Sequence, residues 1–370
     1  MSAYPSCKRT RQTASSGETV LITGGAGFIG TNLAHRLLSE GCTVRVLDNL
    51  SRRGVQRNLD WLAARHDPER LQISIADVRD SQAVEKALQG TQHVFHLAAQ
   101  VAVTTSIAQP LEDFDINVRG TLTLLEAMRR QKHPPSLVFT STNKVYGNLD
   151  DVPLRRNGSR YEPRKSSTRR WGIDETQALQ FWSPYGCSKG TADQYILDYA
   201  RVYDLTAVVF RMSCIYGPHQ FGTEDQGWVA HFLLCGCAGI PITVFGDGMQ
   251  VRDLLYVDDL LDALQIAWRQ ARPFSGMAFN IGGGPANTLS LVELLAMIAE
   301  LEGKAPVVQF AQWRHGDQRY FVADTRRFGE LSGWAPRMDV RAGVTALHRW
   351  FQQYPPGSAA LFLNTAEMNV

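Results

Sequence analysis

Residues 20–30 read VLITGGAGFIG, a short apolar run that ends in spaced glycines. Gly24 permits a sharp turn, Gly27 lets an anion approach the backbone, and Gly30 lets a following helix pack tightly against a sheet. Apolar side chains then recur at helical spacing over residues 28–40. A strand, a glycine-rich turn and a helix in this order predict a pyrophosphate site at the helix amino end, where unpaired N–H groups favour anions.

Outward from this stretch, short apolar strands alternate with helical segments. The predicted strands are 19–23, 43–47, 71–75, 93–97, 137–140 and 206–210, and the predicted helices are 28–40, 84–88, 117–130 and 185–203. Strands that are apolar throughout are typical of a parallel sheet covered on both faces. The chain is therefore predicted to be an α/β protein with a Rossmann-type doubly wound parallel sheet, whose ligand lies at the carboxyl ends of the strands.

After residue 210 the alternation loosens and Gly/Pro-rich connections appear. This change predicts a dinucleotide-binding domain over 18–210 and a smaller C-terminal substrate domain over 211–350. The chain is expected to return to the first domain around 250–282. Residues 1–17 are predicted to be a disordered leader and residues 351–370 a C-terminal tail.

Composition limits the functional classes. The 370 residues are 44% hydrophobic and 20% charged, with a net charge of +2, an ordinary globular balance. The absence of a basic stripe argues against nucleic acid as a partner, and no apolar run reaches the roughly 18 residues that a membrane span needs. The six cysteines form no CxxC pair and have no zinc-like spacing. We therefore expect no metal site, reduced thiols and a cytoplasmic location.

The cofactor is predicted from the end of the second strand. Asp48 stands there, and its carboxylate can bind both adenosine ribose hydroxyls and repel a 2′-phosphate, which favours NAD. Arg52 and Arg53 leave NADP open, because an arginine can accommodate that phosphate. The predicted cofactor-binding residues are Gly24, Gly27, Phe28, Ile29, Gly30, Asp48, Asn49, Ser51, Arg52, Asp77, Val78, Leu97, Ala98, Ala99, Gln100, Asn117, Tyr185 and Lys189.

A catalytic group is predicted from three polar residues. Tyr185 and Lys189 are four positions apart, so their side chains share one face of a helix. A nearby ammonium stabilises a phenolate and lowers the tyrosine pKa from its ordinary value near about 10. Thr142 follows the strand at 137–140, where its hydroxyl can bond a reacting hydroxyl group. Together they predict proton removal from an alcohol while a hydride leaves for nicotinamide.

These motifs carry a resemblance to a known family. The glycine turn, STNKVYG at 141–147 and SPYGCSKG at 183–190 resemble the extended short-chain dehydrogenases over about residues 18–350. That family includes nucleotide-sugar epimerases, dehydratases and decarboxylases. A closer likeness at 49–54, 58–62 and 225–229 implies a member that epimerises carbon 2 of a CDP-hexose such as CDP-paratose. The resemblance implies a transient keto-sugar that rotates and is re-reduced by the same NAD.

The resemblance also implies substrate contacts. Arg252 and Arg314 match arginines that grip the nucleotide diphosphate in the family, a task for which forked cationic donors are suited. Cys214 stands where many relatives have Asn. The full set of implied substrate-binding residues is Thr142, Asn143, Lys144, Cys214, Gln226, Arg252 and Arg314. The family further implies a homodimer or homotetramer.

Several alternatives stay open or are disfavoured on particular residues. The related 4,6-dehydratases carry an Asp-Glu pair after the Thr, whereas Asn143 and Lys144 offer no carboxylate here, which disfavours dehydration and decarboxylation. A 4-epimerase of a UDP-sugar or another nucleotide sugar stays open, because it shares the same chemistry. A non-catalytic NAD-binding regulator is disfavoured by the intact Thr142, Tyr185 and Lys189. The charged insertion at 148–181 lies between two catalytic elements and is predicted to be a functional loop.

Overall fold

A computed structural model describes residues 17–353 of the chain. The predicted leader at 1–17 and tail at 351–370 lie outside these residues except at their inner ends. Within the described range, no helix combines the length and the apolar character needed to cross a membrane.

The described residues form fifteen strands and fourteen α-helices. The strands are β1 (Thr19–Thr23), β2 (Thr43–Asp48), β3 (Leu71–Ile75), β4 (His93–His96), β5 (Ser136–Thr142), β6 (Leu154–Asn157), β7 (Arg160–Pro163), β8 (Ala207–Met212), β9 (Cys214–Tyr216), β10 (Ile242–Phe245), β11 (Val251–Tyr256), β12 (Met277–Ile281), β13 (Thr288–Ser290), β14 (Val308–Ala311) and β15 (Tyr320–Phe321). The helices are α1 (Phe28–Ser39), α2 (Val55–Ala63), α3 (Ser81–Leu88), α4 (Val103–Ala108), α5 (Pro110–Phe114), α6 (Gly120–Arg129), α7 (Ser166–Trp171), α8 (Ser183–Tyr203), α9 (Trp228–Ala238), α10 (Val257–Arg269), α11 (Ala271–Phe274), α12 (Leu291–Glu302), α13 (Arg326–Ser332) and α14 (Val340–Gln352). A π-helical turn (Asp115–Arg119) joins α5 to α6, and a 3-10 turn (Asn143–Tyr146) follows β5.

A seven-stranded parallel sheet in the order β12-β8-β5-β4-β1-β2-β3 forms the centre of the fold. Successive residues of β1 lie on opposite faces of this sheet, because side chains alternate along a strand. Val20 and Ile22 belong to one buried apolar cluster, whereas Leu21 belongs to another on the opposite face. The predicted doubly wound α/β fold is thus confirmed. The strand order reverses between β1 and β4, and this reversal creates a crevice at their carboxyl ends.

The second region is built on small sheets. Strand β11 pairs with β9, β13 and β15, and β10 pairs with β14. The chain returns to the main sheet through α10, which packs against α1 and β5, and through β12. Within residues 250–282, α10 and β12 therefore belong to the main sheet and its helices, whereas β11 belongs to the small sheet.

The insertion at 148–181 is ordered as the hairpin β6–β7 followed by α7. It packs against the second region: the Tyr161 N–H donates to the Met249 carbonyl at 2.9 Å and the Ile173 N–H to the Val322 carbonyl at 2.8 Å. Arg160 bonds Glu293 at the start of α12. The sequence-based boundary places this segment inside 18–210, whereas Tyr161 and Ile173 donate backbone hydrogen bonds to residues beyond 240.

Three helices of the second region meet at a hydrogen-bonded group of polar side chains. His348 Nε2 on α14 lies 2.6 Å from Glu302 Oε1 at the end of α12. Cys237 on α9 also bonds Glu302, and burial together with this carboxylate raises the pKa of its thiol to about 12. The residues come from separate helices, so no spacing in the sequence could indicate this group.

Candidate active site

An elongated cleft opens at the carboxyl ends of the parallel strands. Its larger part is a cavity of about 580 Å³ beside β1, β2, β4 and β5, and a second cavity of about 210 Å³ extends toward β10 and β11. The residues that line both cavities mark their junction, and they are Val103, Asn143, Lys144, Cys214, Asp225, Gln226, Gly227 and Trp228. A ligand in one cavity therefore meets a ligand in the other at this junction.

The glycine turn forms the floor of the larger cavity. Gly24 has a φ of +71°, and a Cβ there would lie 2.7 Å from the Ala98 backbone nitrogen. A Cβ on Gly30 would lie 2.3 Å from the Gly24 carbonyl oxygen, so the helix approaches the turn too closely for any side chain. Gly27 is the N-cap of α1 and supplies no side-chain cap. This bare helix end fits a pyrophosphate, which the amino end of a helix attracts.

The adenosine end of the cavity carries two carboxylates. Asp48 Oδ2 accepts the Ala26 N–H at 3.0 Å and Oδ1 accepts the Leu50 N–H at 2.9 Å, while burial raises the pKa of this group. Asp77 bonds Arg79, and this contact lowers the pKa of Asp77 to about 2. Both line the cavity. A fixed carboxylate at Asp48 suits a ribose diol and repels a 2′-phosphate, so the residues present fit NAD.

The wall beyond β4 includes Leu97, Ala98, Ala99 and Gln100, as predicted from their place after a strand. Asn117, a predicted cofactor contact, is not among the residues that line the cavity. Its Oδ1 accepts the Gln100 N–H at 2.9 Å and its amide donates to Ser188 Oγ at 2.9 Å. Asn117 instead fixes the backbone that forms the wall.

The catalytic residues converge from β5 and α8. Thr142 is the last residue of β5, and its hydroxyl oxygen accepts the Lys144 N–H at 3.2 Å. Tyr185 lies in the first turn of α8, is only 8% exposed, and hydrogen-bonds Thr142 through its side chain. The Tyr185 backbone N–H donates to Ser106 Oγ at 3.1 Å, which fixes the start of α8. The strand end and the helix start thus hold the two hydroxyls together.

The electrostatics of this group differ from the sequence-based expectation. Burial raises the pKa of Tyr185 to about 12, and the groups that oppose this rise are Thr142 and Arg52 rather than Lys189. Lys189 Nζ donates to the Thr140 carbonyl at 2.7 Å and lies 4.1 Å from the centre of the Phe139 ring. Burial lowers the pKa of Lys189 to about 7. Lys189 is not among the groups that act on the Tyr185 phenol here, and its ammonium is hydrogen-bonded to β5.

The predicted substrate residues gather around the smaller cavity. Arg252 donates to Asp317 Oδ1 at 2.8 Å, and Arg314 donates to the Glu224 carbonyl at 2.8 Å. The Arg314 guanidinium also stacks 3.6 Å from the centre of the Phe245 ring. Both arginines line this cavity. Their forked donors therefore face the space where a diphosphate and its base would lie.

Contacts across the cleft were not indicated by the sequence. Arg52 of the cofactor half donates to Gln226 Oε1 of the substrate half at 2.8 Å. Asn143 donates to Gln318 Oε1 at 3.3 Å, and Gln318 in turn donates to the Gly147 carbonyl at 2.6 Å. Gln318, like Ser106, was missed because its partner lies far away in the chain and no local pattern marks it.

Residues 20–282 match the model of the NAD dependent epimerase/dehydratase family, which is more than half of the chain. The chain belongs to this family. Membership confirms the predicted family, the enzyme class and the dependence on NAD.

Several individual members of the family are similar to this chain over most of its length. CDP-paratose 2-epimerase of Salmonella typhi is 42% identical over 340 residues, which cover 90% of this chain and 98% of that protein. dTDP-glucose 4,6-dehydratase of Streptomyces griseus is 32% identical and covers 90% of this chain and 94% of its own length. The crystal structure of UDP-glucose 4-epimerase of Thermus thermophilus in complex with NAD shares 33% identity with a TM-score of 0.75, over 91% of this chain and 100% of that one.

Proposed function

We propose that this chain epimerises carbon 2 of a CDP-hexose such as CDP-paratose, with a retained NAD. The observation that carries this proposal is the 42% identity to CDP-paratose 2-epimerase over nearly the whole length of both chains. The site supports it, because Thr142 and Tyr185 hydrogen-bond each other in the dinucleotide cavity, and Asn143, the residue after Thr142, lines both cavities. Cytidine and paratose enter through that relative alone.

The residues of the chain handle the proton. NAD, when bound, supplies the hydride acceptor and returns the hydride. Tyr185 takes the proton of the sugar hydroxyl, with Thr142 hydrogen-bonded to both, and gives it back on reduction. The raised pKa of Tyr185 makes the phenol hold its proton firmly, and Arg52 and Thr142 oppose this by stabilising the phenolate. Lys189 has three donors and spends one on Thr140, which leaves two for the nicotinamide ribose.

The two positions after Thr142 favour epimerisation over dehydration. Asn143 bonds Gln318, and the Lys144 ammonium bonds the Gly316 carbonyl. Neither residue offers the carboxylate that takes a proton from the carbon next to a ketone in the dehydratases. A second candidate is a carbon-4 epimerase of a nucleotide sugar, which the likeness to the NAD complex of UDP-glucose 4-epimerase supports. The same Thr142 and Tyr185 serve either carbon.

The oligomer that we propose is a dimer of this chain. Large apolar side chains lie exposed on neighbouring helices α4, α5 and α8, and they are Ile107, Leu111, Phe114, Tyr195 and Val202. Leu111 is 81% exposed. An apolar face of this kind on a water-soluble enzyme is typical of a protein interface. Sedimentation equilibrium of wild type and Leu111→Glu tests the dimer, and a wild-type monomer at micromolar concentration contradicts it.

The first experiment is NMR of the purified enzyme with CDP-paratose, CDP-glucose, UDP-glucose and UDP-galactose in deuterated water. A carbon-2 epimer of a CDP-sugar without deuterium at carbon 2 is the expected result, because the hydride returns internally. A carbon-4 epimer supports the second candidate. Deuterium at carbon 2 contradicts the hydride mechanism. Bound NAD without turnover of any of the four sugars supports a regulator instead of an enzyme.

A further inference from the structure

Lys144 takes no part in the proton steps above, yet its side chain lies at the junction of the two cavities. It stands two residues after Thr142, and the 3-10 turn that begins at Asn143 is capped by the Thr142 hydroxyl. Its side chain is partly buried and lines both cavities. Its Nζ donates to the Gly316 carbonyl at 2.9 Å. The ammonium is therefore held at the junction of the two cavities, on the turn that directly follows Thr142.

The charged side chains that act on Lys144 include a second cation. Arg252 and Asp317 both act on its charge, and Arg252 is paired to Asp317 at 2.8 Å. One carboxylate thus faces two cations. The ammonium has three donors and the Gly316 carbonyl uses one, so two donors remain for an anion. A phosphate group has the charge and the acceptor oxygens that match such a site.

The connectivity of a sugar nucleotide relates this cation to the reacting carbon. Carbon 2 is bonded directly to the anomeric carbon, which carries the diphosphate, whereas carbon 4 lies across the ring. When the carbon-2 hydroxyl is at Thr142 and Tyr185, the sugar phosphate lies beside these residues. When the carbon-4 hydroxyl is there, the phosphate lies on the far side of the ring. A cation at the cavity junction, on the turn that directly follows Thr142, therefore favours the carbon-2 orientation.

We propose that Lys144 binds the phosphate attached to the sugar and thereby presents carbon 2, rather than carbon 4, to Thr142 and Tyr185. This inference rests on the proposed function. The same contact serves the rotation step, because the keto-sugar turns about its bonds to this phosphate. Lys144 and Arg252 hold the phosphate while the ring exposes its other face. Lys144 is thus a positioning residue that sets which carbon reacts.

The binding test compares Lys144→Met with Lys144→Arg, using Lys304→Met as a remote control. Titration calorimetry with CDP and with UDP reads the phosphate contact without any chemistry. We expect Lys144→Met to weaken CDP binding about 10- to 100-fold, because it loses charge-assisted hydrogen bonds. Lys144→Arg should recover most of the affinity, and bound NAD and the melting temperature should stay unchanged. CDP affinity within twofold of wild type in Lys144→Met overturns the phosphate contact.

The kinetic test reads the choice of carbon. Lys144→Met should lower kcat/KM for carbon-2 epimerisation of CDP-paratose about 10- to 100-fold and raise the proportion of carbon-4 product. An unchanged product ratio overturns the directing role. If wild type makes no carbon-2 epimer, the proposed function fails, and the CDP titration still reports on Lys144 by itself.

A pH profile supplies a readout that a merely structural role would not move. Withdrawal from water lowers the pKa of Lys144 to about 8, and the charged or titratable groups that act on it are Asp317, Arg252 and Cys214. The ammonium is present below this pKa and is lost above it. In wild type, kcat/KM should therefore fall as pH rises through about 8. The fall should be absent in Lys144→Arg, and its persistence there contradicts the proposal.

Discussion

The two ends of the cleft are built in different ways. At the cofactor end, backbone and small residues form the surface: Gly24 and Gly30 sit where any Cβ would collide with backbone atoms. At the substrate end, long side chains from distant segments form the surface, with Arg252 paired to Asp317 and Arg314 stacked on Phe245. The first end is one continuous motif, and the second is assembled only by folding.

The two ends therefore differ in how many substitutions each can accept. A backbone cradle binds the pyrophosphate common to every dinucleotide, so it requires glycine and tolerates little else. A surface made of side chains can be altered one residue at a time without moving the backbone. Tyr185 and Thr142 line the larger cavity, and Asn143, directly after Thr142, lines both.

The largest expected effect is the loss of turnover on substitution of Tyr185. Tyr185→Phe should lower kcat about 10²- to 10⁴-fold, the usual contribution of a general acid or base, while bound NAD and CDP affinity stay near wild type. Turnover by NMR and NAD content by absorbance measure these outcomes. Tyr195→Phe, an exposed site on the same helix, is the matched control. Nearly full activity in Tyr185→Phe would falsify the catalytic assignment.

The next effect should be confined to the cofactor end. Gly30→Ala places a Cβ 2.3 Å from the Gly24 carbonyl oxygen, so the turn must shift. We expect a loss of about 1–3 kcal/mol of stability, in line with overpacked sites, together with weaker NAD retention. Urea denaturation and NAD content test this. Gly90→Ala, where φ is +68° but the space is open, controls for backbone strain. If Gly30→Ala retains NAD but loses CDP affinity, the assignment of the glycine turn to the cofactor end is contradicted.

A substitution at the substrate end should weaken nucleotide binding and leave NAD content unchanged. Arg314→Met removes the guanidinium that stacks on Phe245, so CDP affinity should fall about tenfold, or about 1.4 kcal/mol, with NAD content unchanged. Calorimetric titration measures the affinity. The exposed Arg349→Met serves as the control. Should NAD content drop in Arg314→Met, the two ends are coupled, and their separation as argued above does not hold.

The smallest effect concerns the insertion. Arg160→Gln breaks a partly exposed pair with Glu293, so we expect a loss of at most about 1 kcal/mol in urea denaturation and little change in kcat. Arg155→Gln, in the more exposed pair with Glu162, should be near zero. A loss of activity greater than tenfold in Arg160→Gln would show that the insertion shapes the substrate end directly.

Prediction from the sequence succeeded where the signal is local. The strand at 19–23 and the helix from residue 28 were predicted because apolar periodicity and glycine spacing act over a few residues. Tyr185 and Lys189 were placed on one helix for the same reason. Their electrostatics could not be predicted, because the pKa of Tyr185 depends on burial and on Arg52, which comes from a different strand connection.

The sequence alone determined the fold class and the use of NAD, and it predicted the glycine turn and the group of Thr142, Tyr185 and Lys189. Only the tertiary structure decided that the insertion packs on the substrate half, that Asn117 does not line the cavity, and that Lys144 faces both cavities. The physical reason is the range of the interactions. Helix, strand and turn preferences are fixed by neighbours in the chain, whereas burial, ion pairing and access to a cleft depend on residues that only the folded chain brings together.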